Sequence, residues 1–319
     1  MKPSSLSPSL SGHLLALGAT LVWSSLYIFA ITLADRYSPI ELSFWRWVMA
    51  AGALLPFVWR ELWAERDIIL RHLVRLMAIS LIGMGGFSLL IFLAGRTTTA
   101  TNMSLLATTA PIFIALICRF ALREPLSGQQ VIGLLVAACG VVVLVTKGDI
   151  AHLFSLSLTG GDLWMLCASM CFGLYSVLVR FRPPQLGPSA FLCIIMGMGA
   201  LWTLPLALWQ WLCVKPLFMP TWTEALSLVY ISAVASVIPF LLWNKAIELI
   251  GAVRAGVVYY SLPFFSYLLA LVFLGERLAL SQALGGVLII GGIVFSTLQA
   301  IRRAGESKAI RAAARKEGE

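Results

Sequence analysis

Apolar residues in this chain run continuously rather than alternating, in windows of about 20 residues divided by short polar interruptions. Ten windows stand out: 14–34, 39–59, 73–95, 100–120, 131–146, 163–179, 189–213, 222–243, 252–275 and 280–301. Helices of that length cross a hydrocarbon core. A membrane β-barrel would show segments of about ten residues with alternating polarity instead, so the pattern predicts an all-α integral membrane protein. The window at 131–146 is short for a span and reaches full length only with Gln129 and Gln130 at the interface.

The interruptions carry a second pattern. Residues 239–278 form two apolar runs joined by a short hinge containing Asn244, Lys245, Glu248 and Arg254. The second run holds Pro263 and closes on Gly275-Glu276-Arg277. The same punctuation appears earlier as Pro111 followed by Arg123-Glu124-Pro125. Pro111 and Pro263, Glu124 and Glu276, Gly133 and Gly285, and Gly140 and Gly292 are all 152 residues apart. A weaker match at 149 residues pairs Leu14 with Leu163, Ala19 with Ala168, Trp23 with Phe172 and Pro39 with Pro188. The chain reads as a duplicated unit: a segment 1–13, a repeat 14–146, a connector 147–162, a repeat 163–301 and a basic tail 302–319. Five spans per unit is an odd number, so the second copy enters the membrane from the opposite side. The expectation is ten transmembrane helices as two inverted five-helix repeats around a central cavity.

Composition agrees. Hydrophobic residues make up 60% and charged residues 12%, against about 25% charged in soluble chains. Of the 23 Lys and Arg residues, seventeen fall on one side if the N-terminus is cytoplasmic, five fall on the other, and Arg46 lies within the second window. The positive-inside rule then places both termini in the cytoplasm of a bacterial-type inner membrane. The first 13 residues lack the form of a cleavable signal, so the first span is expected to be retained. The net charge of +9 is mainly a topology signal, and anchoring at the membrane surface accounts for the basic tail better than nucleic-acid binding does.

Trp23-Ser24, Pro39 with Arg46, and the doubled pattern of mid-helix proline, Glu-Arg or Glu-Pro and a Gly-rich helix together resemble the EamA family of the drug/metabolite transporter superfamily. The resemblance runs from about residue 12 to residue 301 and is strongest from 241 through 278. It implies ten helices in two inverted halves around a central cavity, and transport of amino acids or other small metabolites. It names no substrate.

Ionisable groups at a bilayer centre are default functional candidates, and almost none are present. Glu41, Glu124, Asp162, Glu224, Glu248 and Glu276 lie at helix ends or in loops, as do His13, His72 and His152. Small multidrug members of the superfamily have a membrane-centred Glu that exchanges protons for cations, and no such residue occurs here. Coupling to protons is therefore not expected, while sodium coupling through groups such as Ser24 or Thr108 stays open. Arg46 has two readings: a snorkelling or backbone-pairing arginine near the outer interface, or a group drawing anionic substrate into an outer vestibule, with Glu41 close enough to neutralise it.

Recognition falls to aromatic and neutral polar groups. The candidates for substrate binding are Trp23, Ser24 and Tyr27 in the first span, Phe172 and Tyr175 in the sixth, Trp243 and Asn244 in the eighth, and Tyr259 and Tyr260 in the ninth. Such groups suit a small amphiphilic or zwitterionic solute. For Trp23 and Tyr27 core packing competes with a cavity role, and Trp164, Trp202, Trp209, Trp211 and Trp222 read as interfacial anchors. Pro111 and Pro263 are candidate hinges. No cofactor is expected, since the Gly clusters lack a following Lys-Ser/Thr. No metal is expected either, since the six cysteines, read as buried thiols, show no ligand spacing. An integral-membrane enzyme would need clustered His, Asp or Glu near one interface, and that cluster is missing. The reading is a secondary transporter, an exporter or facilitator of amino acids or related amphiphilic solutes by alternating access. An ion-coupled antiporter and a non-transporting receptor or scaffold are the alternatives. Its partners are a small-molecule substrate and the lipid bilayer, without nucleic acid, and a monomer is compatible with the pattern. Reporter tags fused at each terminus should both score as cytoplasmic, and a periplasmic signal from either would overturn the ten-span topology.

Overall fold

A computed structural model describes residues 8–27, 29, 33, 36–146, 159–216, 220–274 and 283–296, and every regular element among them is helical. The helices are α1 (Pro8–Trp23), α2 (Pro39–Ala64), α3 (Leu73–Ala94), α4 (Ala100–Ala107 continuing as Ala110–Phe120) and α5 (Gly128–Val145). After the connector come α6 (Gly160–Leu178), α7 (Pro188–Cys213), α8 (Trp222–Ile250), α9 (Ala252–Tyr259 continuing as Ser261–Leu274) and α10 (Ala283–Ser296). Six of them, α2, α3, α4, α6, α7 and α8, are long and apolar enough to cross a membrane. Gly128–Leu144 in α5 and Ala283–Ser296 are shorter apolar helices. Residues 28, 30–32, 34 and 35 around the end of the first window, most of the connector, Gly275-Glu276-Arg277 and the basic tail lie outside the described residues.

Helix starts are specified by local chemistry. Four N-termini carry reciprocal caps, in which a Ser or Thr side chain accepts from the backbone three residues on and the side chain there accepts in return. The pairs are Ser38 with Glu41, Ser127 with Gln130, Thr159 with Asp162 and Thr221 with Glu224. Three of the carboxylates noted near the membrane are thus capping groups. Gln130 explains the short fifth window, since α5 begins at Gly128 with this side chain in its cap. Thr99 caps α4 by accepting from the Asn102 amide.

Interior breaks have equally local causes. Proline has no N–H for the carbonyl four residues back, and its ring crowds that carbonyl. For Pro111 and Pro263 those carbonyls belong to Ala107 and Tyr259, the residues at which the first halves of α4 and α9 end. Thr108 and Thr109 hydroxyls then donate to the Leu105 and Leu106 carbonyls. Two helices widen into π turns, α3 over Leu81–Gly86 and α8 over Tyr230–Val237, the latter just before Pro239. Their first residues, Leu81 and Tyr230, are 149 residues apart.

Packing joins the two halves. The most extensive contacts are α2 with α7 and α1 with α8, followed by α3 and α4 against α6. At the edge, α5 and α10 meet through glycines: Gly133 lies against Gly292 and Ser296, and Gly140 against Gly285 and Ile289. The outer surface is apolar, with exposed residues such as Phe57, Leu116, Leu135, Leu212 and Val287, as lipid contact requires. Exposed Trp164, Trp202, Trp209 and Trp222 lie on that surface, while Trp211 turns inward to donate to Glu41 Oε1. Cys118 and Cys193 are buried as expected, but Cys139 and Cys213 are exposed, a correction that follows from their place on outward helix faces.

The glycine seam is tight because a side chain has nowhere to go. A Cβ on Gly140 would lie 2.7 Å from the Ile289 amide and 2.8 Å from the Gly285 carbonyl. Gly140→Ala should lower stability by about 1–3 kcal/mol, read as a fall in Tm of the detergent-solubilised protein, whereas Gly52→Ala, with nothing within 4 Å, should leave Tm unchanged.

Candidate functional site

The structure brings most of the candidate residues together at the meeting of α1, α6, α8 and α9. The Trp23 ring contacts Phe172 at 5.2 Å edge-on, Trp243 at 5.6 Å and Tyr259 at 6.1 Å. Phe172 in turn meets Trp243 at 5.3 Å and Tyr259 at 5.0 Å. Phe240, not among the sequence candidates, joins Trp23 to Trp47 at 5.2 and 5.9 Å. All are buried. Edge-to-face pairs of this kind contribute about 0.5–1.5 kcal/mol each beyond burial.

Polar handles surround these rings. Trp243 Nε1 donates to Ser176 Oγ at 3.1 Å and the Tyr175 hydroxyl donates to Asn244 Oδ1 at 2.9 Å. Tyr27 and Tyr259 meet through their hydroxyls. Ser24 lies in the turn ending α1, donating to the Leu21 carbonyl while its own carbonyl accepts from Ser266. Trp23 Nε1, Asn244 Nδ2 and the Tyr260 hydroxyl have no hydrogen-bond partner among the described residues. Buried polar atoms are rarely left so, and those of Trp23 and Asn244 adjoin the aromatic cluster and offer valences to a bound solute.

Two cavities lie at opposite ends of the bundle. One, of about 510 Å³, is lined by Arg180, Arg182, Pro188, Asn244, Lys245 and Glu248 among others, and its polar wall includes Asn244. The other, of about 320 Å³, is lined by Arg36, Tyr37, Ser38, Glu41, Arg96 and Gln210 among others. Pro188 and Gln210 lie on the same helix, about 33 Å apart along its axis. Ion pairs gird each mouth. At the first, Arg180 Nη1 and Nη2 bind Glu124 at 3.0 and 2.7 Å, and Lys245 binds Glu248 at 2.6 Å. Arg123, in the left-handed conformation at φ 55°, turns the chain after α4 so that Glu124 meets α6. At the second mouth Arg36 binds Glu224 at 2.5 Å.

Arg46 corrects the sequence expectation. It neither snorkels to the outer face nor pairs with Glu41, whose oxygens take the Ser38 amide and the Trp211 indole. The side chain is 1% exposed and points into the bundle, where Nε donates to Ser236 Oγ at 2.8 Å. Sequence reading also missed the π turns that receive it. The signals were the glycines of Leu81–Gly86 and the serines ahead of Pro239. In the widened α3 turn the Met84 carbonyl, which takes the Phe87 amide, also accepts from Trp47 Nε1 at 2.9 Å. Pro111 packs against Gly256 across the α4–α9 contact. No group of three or more potential metal ligands occurs among the described residues.

The sequence profile of the EamA-like transporter family matches residues 10–146 and again residues 159–298. The chain belongs to the EamA-like transporter family. Among EamA-family relatives, the uncharacterized transporter YyaM of Bacillus subtilis is 25% identical over 282 residues, covering 88% of this chain and 92% of its own. An uncharacterized transporter of Archaeoglobus fulgidus is 26% identical, covering 89% and 96%. A probable terminal-alkyne amino-acid exporter of Streptantibioticus cattleyicolor is 25% identical over 228 residues, 70% of this chain and 73% of its own. A solved crystal structure superposes with a TM-score of 0.70 at 22% identity over 92% of this chain and 98% of that one, a likeness of fold.

The Glu124–Arg180 pair of this EamA-family protein gives a pH signature. Hydrogen bonds from Arg180 hold the Glu124 carboxyl below its ordinary value of 4.5. A carboxyl depressed in the folded state adds stability that is fully present above its unfolded value and is lost as pH falls below it. The Tm difference between wild type and Glu124→Gln should therefore be constant above about pH 5 and shrink as pH falls through 4.5. A difference that does not narrow in acid would show the pair to be unformed.

Proposed function

We propose that this chain is a secondary transporter that moves small amphiphilic metabolites, amino acids or their relatives, by alternating access. The observation that carries the reading is a buried aromatic cluster with unsatisfied polar atoms, inside a membrane bundle whose two ends each hold a polar cavity. A closed aromatic middle with polar recesses toward the two ends suits alternating access. Membership of a transporter family and the name of the Streptantibioticus relative support this direction.

We read the architecture as ten spans in two inverted halves, in an inner membrane with both termini cytoplasmic. The exchanged glycine contacts of α5 and α10 support this, as do the matched positions of the π turns and proline breaks. In this reading Trp23, Ser24, Tyr27, Phe172, Tyr175, Trp243, Asn244, Tyr259 and Tyr260 form the solute site. Pro111 and Pro263, each just past a helix break, form the hinges. Transport runs down the solute's own gradient, because among the described residues the carboxylates and histidines lie toward helix ends or in loops rather than at the bundle centre. Coupling to protons would need a titrating group that faces each side in turn.

The test is counterflow of a panel of labelled L-amino acids in proteoliposomes. A wild-type signal is expected, reduced about tenfold or more, the loss that about 1.4 kcal/mol produces, in Trp23→Ala and Trp243→Ala protein that still melts cooperatively. An imposed pH gradient with the membrane potential clamped should drive no accumulation. Concentrative uptake under that gradient would overturn the uncoupled mechanism. No flux of any solute would favour a receptor or scaffold.

A further inference from the structure

Arg46 lies two turns inside α2, buried to 1% exposure, and its guanidinium is only partly satisfied. Nε donates to Ser236 Oγ at 2.8 Å in the π turn of α8, and Nη1 donates to Ser88 Oγ at 3.4 Å just after the π turn of α3. Its carbon sits 4.6 Å from the Trp47 ring centre. Nη2 has no hydrogen-bond partner, and no carboxylate among the described residues pairs with this cation. Two further buried donors stand open close by in sequence: Ser43 Oγ, one turn before Arg46 on the same face of α2, and Ser232 Oγ, one turn before Ser236. A buried cation without a counter-charge is costly, and three helices contribute polar groups around this one.

We propose that Arg46, with Ser43, Ser88, Ser232 and Ser236, is the binding site for the carboxylate of the solute. This rests on the transport reading and names the substrate class for it: an amphiphile bearing one carboxylate. A guanidinium presents N–H pairs that match two carboxylate oxygens, and the Ser43, Ser88 and Ser232 hydroxyls complete the donor set, while Ser236, which donates to the Ile231 carbonyl, holds the guanidinium in place. A solute cation would be repelled, and a neutral solute would leave the charge uncompensated. A phosphate, with close to two charges, would exceed the single cation placed here. The apolar remainder of the solute has a continuous wall, since the Trp47 ring over which Arg46 lies contacts Phe240, and Phe240 contacts Trp23.

The test uses the full chain in detergent with four probes that share a phenyl group: L-phenylalanine, 3-phenylpropionate, 2-phenylethylamine and 3-phenylpropanol. Binding is read by Tm shift and by tryptophan fluorescence. The two carboxylates should act on wild type and the amine and alcohol should not. Arg46→Gln should weaken carboxylate binding at least tenfold and Arg46→Lys should keep part of it. Comparing L-phenylalanine with 3-phenylpropionate shows whether the ammonium adds to or subtracts from the carboxylate's share. An equal carboxylate response in Arg46→Gln, no wild-type response to either carboxylate, or a response to the amine or alcohol alone would overturn the site. Ser43→Asp covers the case in which Arg46→Gln fails to fold, because it places a carboxylate one turn from Arg46. Its Tm should match or exceed wild type and its response to carboxylates should vanish, whereas a lowered Tm with the response kept would overturn the proposal. Counterflow separates the two readings. Flux of non-carboxylate solutes that carboxylates do not inhibit would remove the site and leave transport standing. Arg46-dependent binding without flux of any solute would remove transport and leave the site standing.

Discussion

Within hydrocarbon a backbone N–H or C=O cannot fall back on water, so each must find a partner in the protein. Most local features of this structure answer that demand. Reciprocal caps satisfy the free donors at the starts of α2, α5, α6 and α8. Where proline breaks α4, threonine hydroxyls occupy nearby carbonyls. Where α3 widens, the Trp47 indole takes the Met84 carbonyl, and where α8 widens, the Ser236 hydroxyl bonds the Ile231 carbonyl five residues back. The carboxylates of Glu41, Asp162 and Glu224 are tolerated beside the membrane because they serve this backbone accounting.

That demand also decided what the sequence could reveal. Apolar window lengths exposed the helices, because a span has to be long and continuously apolar. The doubled prolines exposed the breaks, because the fault of each falls four residues upstream by covalent geometry. The aromatic candidates could be gathered by type, and Trp23, Phe172, Trp243 and Tyr259 do meet. Phe240 escaped notice since a phenylalanine in an apolar run carries no mark of its partners. The direction of Arg46 was not legible either. A side chain that leaves α2 two turns from its end can climb to the interface or turn inward, and the choice depends on serines 42 and 190 residues away. The π turns were hidden for the same reason, because one extra residue in a turn leaves hydropathy unchanged.

The centre of the molecule combines tight ring packing with incomplete hydrogen bonding, which are seldom found together. Ring contacts hold α1, α6, α8 and α9 at one point and exclude water there. Around them, Trp23 Nε1, Asn244 Nδ2, Tyr260 Oη and Arg46 Nη2 remain without partners among the described residues. Apolar contacts thus close the centre, while the unsatisfied dipoles leave hydrogen-bonding capacity there unused.

The glycine contact between α5 and α10 has a consequence of symmetry. Gly133 touches Gly292 and Gly140 touches Gly285, and each glycine has its counterpart 152 residues along the chain on the facing helix. Exchanging the two stretches would return the same glycine-to-glycine contacts with different neighbours, since Ser296 faces Gly133 where Leu144 faces Gly285, and Ile289 faces Gly140 where Ala137 faces Gly292. The seam is thus alike from both sides in its backbone and unlike in its side chains, so the two helices can approach equally closely at each glycine pair while the space beside each pair is filled differently.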